Sequence, residues 1–160
     1  MTNPNIPSKE ECLDILNKNK TPSNVIEHCK TVCKLAEEIA DKVINKGINT
    51  NKKLVIAAAL LHDIERVKPH HIVEGTKLIK SLGFPEVSEV IKTHGLYELG
   101  DGNVQPNTVE EKILFYADKS VIGNKIVGVK KRIEDLEKRY NKRFNKELEC
   151  TKKIEDELLQ

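Results

Sequence analysis

Apolar residues recur at intervals of three and four along most of the chain, a spacing that predicts amphipathic helices rather than strands. A capping-box sequence, Ser8 to Glu11, predicts a short first helix that ends near Lys18. Thr21 as N-cap, followed by Pro22 as the first helical residue, predicts a second helix that ends near Gly47. Its apolar positions are Val25, Cys29, Val32, Leu35, Ala36, Ile39, Ala40 and Val43.

The third predicted helix starts at Asn49 or Thr50 and includes the run from Leu54 to Leu61, which is apolar on nearly every side. Such a helix belongs at the centre of the molecule, where all its faces are covered. Beyond Pro69 the pattern predicts a helix from about His71 to Leu82 and another from Glu86 to Thr93. A loop is predicted from Leu96 to Asn107. A second capping box, Thr108 to Glu111, then predicts a helix from Lys112 to about Ile122.

After Gly123 the residues are mostly charged, and a single apolar stripe continues at helical spacing. This pattern predicts one long amphipathic helix, which packs back on the domain or forms the seam of a homodimer. The stripe consists of Val129, Ile133, Leu136, Tyr140, Phe144 and Leu148. We therefore expect an all-α chain with an N-terminal helix in 1–20, one compact helical domain in 21–123 and a C-terminal helical extension in 124–160.

The composition fits a soluble single-domain protein of 160 residues, with 38% hydrophobic and 32% charged residues. The net charge of +2 gives no electrostatic reason to expect nucleic-acid or membrane binding. No segment has the apolar length of a membrane span or the apolar core of a signal peptide. The four cysteines form no CxxC pair, so we expect reduced, buried thiols in a cytoplasmic protein.

The candidate chemistry lies where buried helices end in polar side chains. His62 and Asp63 directly follow the central apolar run, and Asp118 ends another apolar run, Leu114 to Ala117. A buried carboxylate needs a cation or several hydrogen-bond donors, and a divalent metal meets that need. His28 projects from the core-facing side of its helix. Each residue alone is more often an ordinary core residue, but together the four indicate a metal site.

In their order along the chain, these residues resemble the H…HD…D signature of the HD superfamily of metal-dependent phosphohydrolases. The apolar segment from Ala58 to Ile64 resembles the helix that enters the family's HD dipeptide, and the segment from Glu110 to Lys119 is similar to the one around its last aspartate. The resemblance covers about residues 21–123. It implies a compact all-α HD-domain bundle in which His28, His62, Asp63 and Asp118 hold a first metal ion.

His71 and His94 look like the additional histidines of the two-metal members of the family, with Asp63 as the bridge between the ions. The alternative is that both are polar surface groups, as we expect for His70, which has no matching position. The resemblance also implies that Asp63 orients the nucleophile while Arg66 and Lys119 assist at the phosphate, although either basic residue can equally be a surface charge.

One departure from the family pattern concerns Glu65, which stands where HDIG-type members have glycine. Its presence indicates that the helix continues, or that the chain turns without a positive φ. Glu65 itself is either a partner of a ligand histidine or, with slight preference, a solvated charge.

Imidazoles and carboxylates without thiolates suit one or two divalent transition metal ions, Fe, Mn, Ni or Zn, better than Mg. The function that the resemblance implies is hydrolysis of a small phosphorylated substrate, a nucleotide or a related ester or anhydride, by a metal-activated hydroxide. A di-iron oxygenase of the HD fold and a non-catalytic ligand-sensing HD protein are the alternatives. The loop from Leu96 to Asn107 is the expected specificity lid.

Overall fold

The computed structural model describes residues 6–95 and 105–160, which form a helical bundle with one two-stranded hairpin. The helices are α1 (Lys9–Lys18), α2 (Ser23–Asn45), α3 (Lys52–Leu61), α4 (His71–Ser81), α5 (Pro85–Lys92), α6 (Val109–Asp118), α7 (Val129–Tyr140) and α8 (Asn145–Ile154). The strands are β1 (Val121–Ile122) and β2 (Lys125–Ile126), and a π-helical turn, Glu155–Leu159, follows α8. Within these ranges no helix has both the length and the apolar character required to cross a bilayer. The expected all-α class is confirmed.

The central position predicted for α3 is confirmed. Seven of its ten residues are buried, and the helix packs against α1, α2, α5 and α6. Because its side chains are apolar on all sides, burial among four neighbours removes the most apolar surface from water. The end of α3, where His62 follows, therefore lies deep in the molecule.

The first predicted capping box forms in full. Ser8 Oγ accepts from the Glu11 amide at 3.2 Å, and Glu11 Oε1 accepts from the Ser8 amide at 3.2 Å. The second forms only in part: Thr108 Oγ1 accepts from the Glu111 amide at 3.1 Å, whereas the Glu111 carboxylate accepts from the amide of Asn107 at 3.2 Å.

Two helix starts differ from the prediction. Pro22 occupies the N-cap position of α2 and makes no side-chain capping bond, while the Thr21 hydroxyl donates to the Ile64 carbonyl at 3.2 Å. The predicted cap is therefore used in a tertiary hydrogen bond. The cap of α3 is Asn51, whose side chain accepts from the Leu54 amide at 3.1 Å.

The prediction of one long C-terminal helix is wrong. Asn141 takes a left-handed conformation with a φ of 51°, and the chain turns through 141–144 before α8 begins. This turn brings Phe144 into the core, which a continuous helix would carry away from it. The predicted helix before it is also shorter, because α6 ends at Asp118 and the β1–β2 hairpin follows.

Half of the apolar stripe of the C-terminal extension is buried by the chain itself, whereas Tyr140 is 43% exposed. Ile133, Leu136 and Phe144 are buried in the same hydrophobic core as α3, together with Ile154 and Leu158 from the last turns. These side chains are therefore not available as the seam of a dimer.

We predict that Asn141→Ala lowers the free energy of unfolding by about 1 kcal/mol, because alanine tolerates the left-handed conformation less well than asparagine. Asn141→Gly should leave stability unchanged or slightly raised. Urea unfolding followed by circular dichroism measures both variants. The exposed neighbour Lys142→Ala is the control, with an expected change within about 0.5 kcal/mol. Equal effects of glycine and alanine at position 141 would contradict the role given to its backbone conformation.

Candidate metal centre

The six predicted ligand residues come from five segments that meet at one place. His28 lies in the first half of α2, His62 and Asp63 directly follow α3, and His71 begins α4. The other two, His94 and Asp118, lie just beyond α5 and at the last residue of α6. Packing of α3 against α2, α5 and α6 brings these segments together.

One group of ligand atoms surrounds Asp118 Oδ1. The Nε2 atoms of His28 and His62 lie 3.2 and 3.3 Å from it. The same two Nε2 atoms lie 3.5 and 3.6 Å from Asp63 Oδ2. Two imidazole nitrogens and two carboxylate oxygens thus face one small space that could hold a metal ion.

A second group surrounds the other oxygen of Asp63. His94 Nε2 lies 3.5 Å and His71 Nε2 lies 3.9 Å from Asp63 Oδ1. The two oxygens of this carboxylate therefore face different pairs of imidazoles. A carboxylate in such a position is suited to bridge two ions.

Backbone carbonyls fix the orientation of three of the imidazoles. His28 Nδ1 donates to the Gly123 carbonyl at 2.7 Å. His62 Nδ1 and His94 Nδ1 each donate at 2.6 Å to the carbonyl three residues earlier, those of Ala59 and Ile91. Because a carbonyl only accepts, Nδ1 carries the hydrogen, and the Nε2 of a neutral ring directs its lone pair at the carboxylates.

That arrangement tests whether a metal fits. A lone pair that faces an ionised carboxylate oxygen at 3.2–3.6 Å is repelled, unless a proton or a cation lies between them. In metal-bound histidines, the ring nitrogen that does not bind the metal usually donates a hydrogen bond to a carbonyl or carboxylate, as Nδ1 does here. The donor set of imidazoles and carboxylates without thiolate fits a divalent transition metal.

The electrostatics keep both carboxylates ionised. Burial disfavours charged Asp118, but the Lys119 ammonium and His62 outweigh it and hold its pKa well below the ordinary value. Burial likewise opposes ionised Asp63, whose pKa is nevertheless lowered by His62 and His94. The pKa of His62 is raised well above its usual value, because Asp63 and Asp118 more than offset its burial. Burial lowers the pKa of His71 to about 4, against the attraction of Asp63.

Lys119 lies beside the ligands with its ammonium group already engaged. It is 3% exposed, and Nζ donates to Asp118 Oδ2 at 2.8 Å and to the His94 carbonyl at 2.9 Å. These bonds hold one carboxylate ligand and the backbone of one histidine ligand. Its position suits support of the ligands better than capture of a phosphate.

Arg66 is exposed and borders the cleft above Asp63. It lies in the turn after α3, where its amide donates to the Asp63 carbonyl at 2.9 Å. The helix does not continue here, and the turn from 62 to 69 has no positive φ. His70 is exposed, in agreement with its prediction as a surface residue, and has a left-handed φ of 55°.

The structure contradicts both expectations for Glu65, which were a solvated charge and a partner of a ligand histidine. Glu65 is 4% exposed, so it is not a solvated charge, and among the described residues its carboxylate contacts Asn19 and Lys68 rather than a ligand histidine. Its carboxylate accepts from Asn19 Nδ2 at 2.8 Å and pairs with Lys68 at 2.6 Å. Glu65 thus ties the turn after α3 to the end of α1.

The sequence analysis missed the contribution of α7 to the cleft. Arg132, Leu136, Arg139 and Tyr140 line the same cleft as Asp63, His94 and Asp118. The available signal was the seven-residue separation of the two arginines, which places both on one helix face. Most of the predicted lid, residues 96–104 of the segment Leu96 to Asn107, lies outside the described residues.

Comparison with protein families gives an independent result. Residues 25–121, more than half of the chain, match the family model described as HD domain. An uncharacterized protein of Methanocaldococcus jannaschii is 36% identical over 159 residues, which cover 91% of this chain and 91% of that protein. No solved structure gives a significant match.

Other relatives carry named activities, among them the following two. The tRNA (cytidine(56)-2'-O)-methyltransferase of Picrophilus torridus is 29% identical over 96% of this chain and 47% of its own length. The dihydroneopterin 2',3'-cyclic phosphate phosphodiesterase of Methanocaldococcus jannaschii is 30% identical over 60% of this chain and 45% of its own length. The matches thus span less than half of each of these two proteins.

We predict that Lys119→Met destabilises the metal-free protein by about 3 kcal/mol or more, because it leaves Asp118 buried without its closest cation. Urea unfolding in the presence of a chelator measures the change. The control is Lys30→Met, which removes an exposed ion pair with Glu27 and should cost less than about 1 kcal/mol. A Lys119 variant no less stable than this control would contradict the proposed support of Asp118.

Proposed function

This chain belongs to the HD domain family, and from that premise we propose that it is a metal-dependent phosphohydrolase acting on a small phosphorylated substrate. The observation that carries the proposal is the position of Asp63, whose Oδ2 faces His28 and His62 while its Oδ1 faces His94 and His71. Buried carboxylates between inward-facing Nε2 atoms are costly without a cation and favourable with one.

We assign the residues to two ions. His28, His62 and Asp118 would hold the first, His71 and His94 would hold the second, and Asp63 would be a ligand of both. Divalent metals bound there supply an attacking hydroxide near neutral pH and neutralise charge on the phosphoryl oxygens. The mixed imidazole and carboxylate set favours Mn, Fe, Ni or Zn over Mg.

The remaining chemistry belongs to side chains around this centre. Asp63 orients the attacking water, and Arg66 donates hydrogen bonds to a phosphoryl oxygen from the exposed edge of the cleft. Lys119 acts through Asp118 and the His94 backbone, which it keeps in position. Its positive charge also offsets part of the negative charge of the ligands.

We propose a nucleotide or a related phosphate compound as the substrate. The phosphodiesterase relative acts, according to its name, on a 2',3'-cyclic phosphate, and it shares 30% identity with this chain over 118 residues. The methyltransferase activity is not assigned to this chain, because the cluster of imidazoles and carboxylates suits metal-dependent hydrolysis.

Asp63→Ala is expected to abolish both metal retention and turnover, since it removes a ligand from each ion. We expect a loss of at least about a thousandfold in rate. Metal content is measured by mass spectrometry. Activity is measured with bis(p-nitrophenyl) phosphate, nucleoside 2',3'-cyclic phosphates, and nucleoside and dinucleotide polyphosphates, each with Mn²⁺, Ni²⁺, Fe²⁺ and Mg²⁺.

The control for this variant is Asp14→Ala, which removes an exposed carboxylate paired only with Lys18 on α1. It should retain metal and activity. Full activity of Asp63→Ala would overturn the mechanism. A wild-type reaction that requires oxygen, seen under air and absent under argon, would indicate the di-iron oxygenase alternative.

His71→Ala is predicted to lose one metal equivalent and keep the other, because His71 Nε2 faces Asp63 Oδ1, the oxygen of the second group of ligands. The adjacent, exposed His70 gives a matched control, and His70→Ala should keep both equivalents. Metal-to-protein ratios after dialysis against metal-free buffer decide the outcome. Identical ratios for the two variants would contradict the two-ion assignment.

A further inference from the structure

We propose that Arg132 and Arg139 of α7, together with Arg66, bind a second phosphate group of the substrate, so that α7 selects substrates with more than one phosphate. This inference rests on the phosphohydrolase function proposed above and specifies its substrate class. It assigns a binding role to Arg132 and Arg139, which lie beyond the family match that ends at residue 121.

The three arginines lie where two openings of the cleft meet. One opening is lined by His71, His94 and Asp118, and the other by His28, Asn24 and Gly123. Asp63, Arg66, Arg132 and Arg139 line both. The guanidinium groups therefore border the space above the candidate metal centre from two walls, the turn after α3 and the helix α7.

The positive charge of this cluster is only partly balanced. Asp135 lies between the two α7 arginines, with Oδ2 3.9 Å from Arg132 Nη1 and 3.3 Å from Arg139 Nη2. One carboxylate thus faces the two guanidinium groups of α7. Within residues 6–95 and 105–160, no ion pair of Arg66 occurs.

Buried polar atoms in the cluster lack partners. Arg132 Nε and Asp135 Oδ2 are buried and, among the described residues, form no hydrogen bond. Because an unsatisfied buried donor is costly, a ligand that accepts a hydrogen bond from Arg132 is stabilised by that bond. The contact from Asp135 to Arg132 is long, at 3.9 Å, and leaves donors of that guanidinium group available to such a ligand.

Among the described residues, the carboxylate metal ligands form no ion pair with these arginines. The ion pairs of Asp63 and Asp118 in the described parts of the chain are to histidines and to Lys119, and none is to an arginine. A phosphate at the metal centre is neutralised by the ions. Three further guanidinium groups, each able to bind a phosphate with two parallel hydrogen bonds, therefore match a second phosphate.

The test is isothermal titration calorimetry of the full chain, loaded with Mn²⁺, at fixed free Mn²⁺ concentration. The probes are orthophosphate, pyrophosphate and tripolyphosphate. We expect the wild-type affinity to rise along this series. Arg139→Ala, and Arg132→Ala combined with Arg139→Ala, should weaken tripolyphosphate binding roughly ten- to hundredfold and change orthophosphate binding less than about threefold.

The matched control is Lys131→Ala, an exposed basic residue of the same helix, which should alter every affinity less than about twofold. Arg139→Lys should fall between wild type and Arg139→Ala, because lysine keeps the charge but not the paired donors. Arg132 is largely buried, so the single Arg139 variant, with circular dichroism to verify folding, keeps the test valid if the double variant does not fold.

An equal loss of affinity for all three probes, or no loss, would overturn the proposal. For any substrate with two phosphates, the Arg139 variant should raise KM while kcat stays within a few-fold. A separate result would contradict the phosphohydrolase function, namely an Asp63→Ala variant that retains metal and still turns over substrate. The calorimetric comparison uses neither turnover nor that variant.

Discussion

Two carboxylates, those of Asp63 and Asp118, are buried at the ends of α3 and α6, and their charge constrains everything placed around them. An ionised carboxylate in the interior is tolerated only where cations and hydrogen-bond donors surround it. Asp118 has the Lys119 ammonium at 2.8 Å, whereas all the ion partners of Asp63 among the described residues are imidazoles. Asp63 is therefore the ligand that most needs a cation in the cleft.

The ends of helices reinforce this constraint. The C-terminal ends of α3, α5 and α6 point to the same centre, and each carries the partial negative charge of carbonyls without helical partners. The carbonyls of Ala59 and Ile91 accept from His62 and His94, so the same backbone that favours a cation also directs the imidazoles towards it. Orientation of the ligands thus follows from where the helices stop.

The C-terminal extension belongs to both the core and the cleft. Ile133, Leu136 and Phe144 complete the hydrophobic core, and the turn at Asn141 allows the chain to return for this purpose. Docking of α7 by its apolar face leaves Arg132 and Arg139 beside the metal ligands. Stability and the composition of the cleft therefore depend on the same helix, which lies beyond the family match.

The sequence by itself determined the helices up to α5, the central place of α3 and the order of the candidate ligands. Helical periodicity and capping are properties of neighbouring residues, and a run such as Leu54 to Leu61 requires burial whatever surrounds it. The tertiary structure alone decided that Thr21 bonds to Ile64, that Lys119 turns inward to Asp118 and His94, and that α7 covers the cleft. These outcomes depend on contacts between side chains of different elements, whose spatial proximity no local pattern of apolar and polar residues encodes.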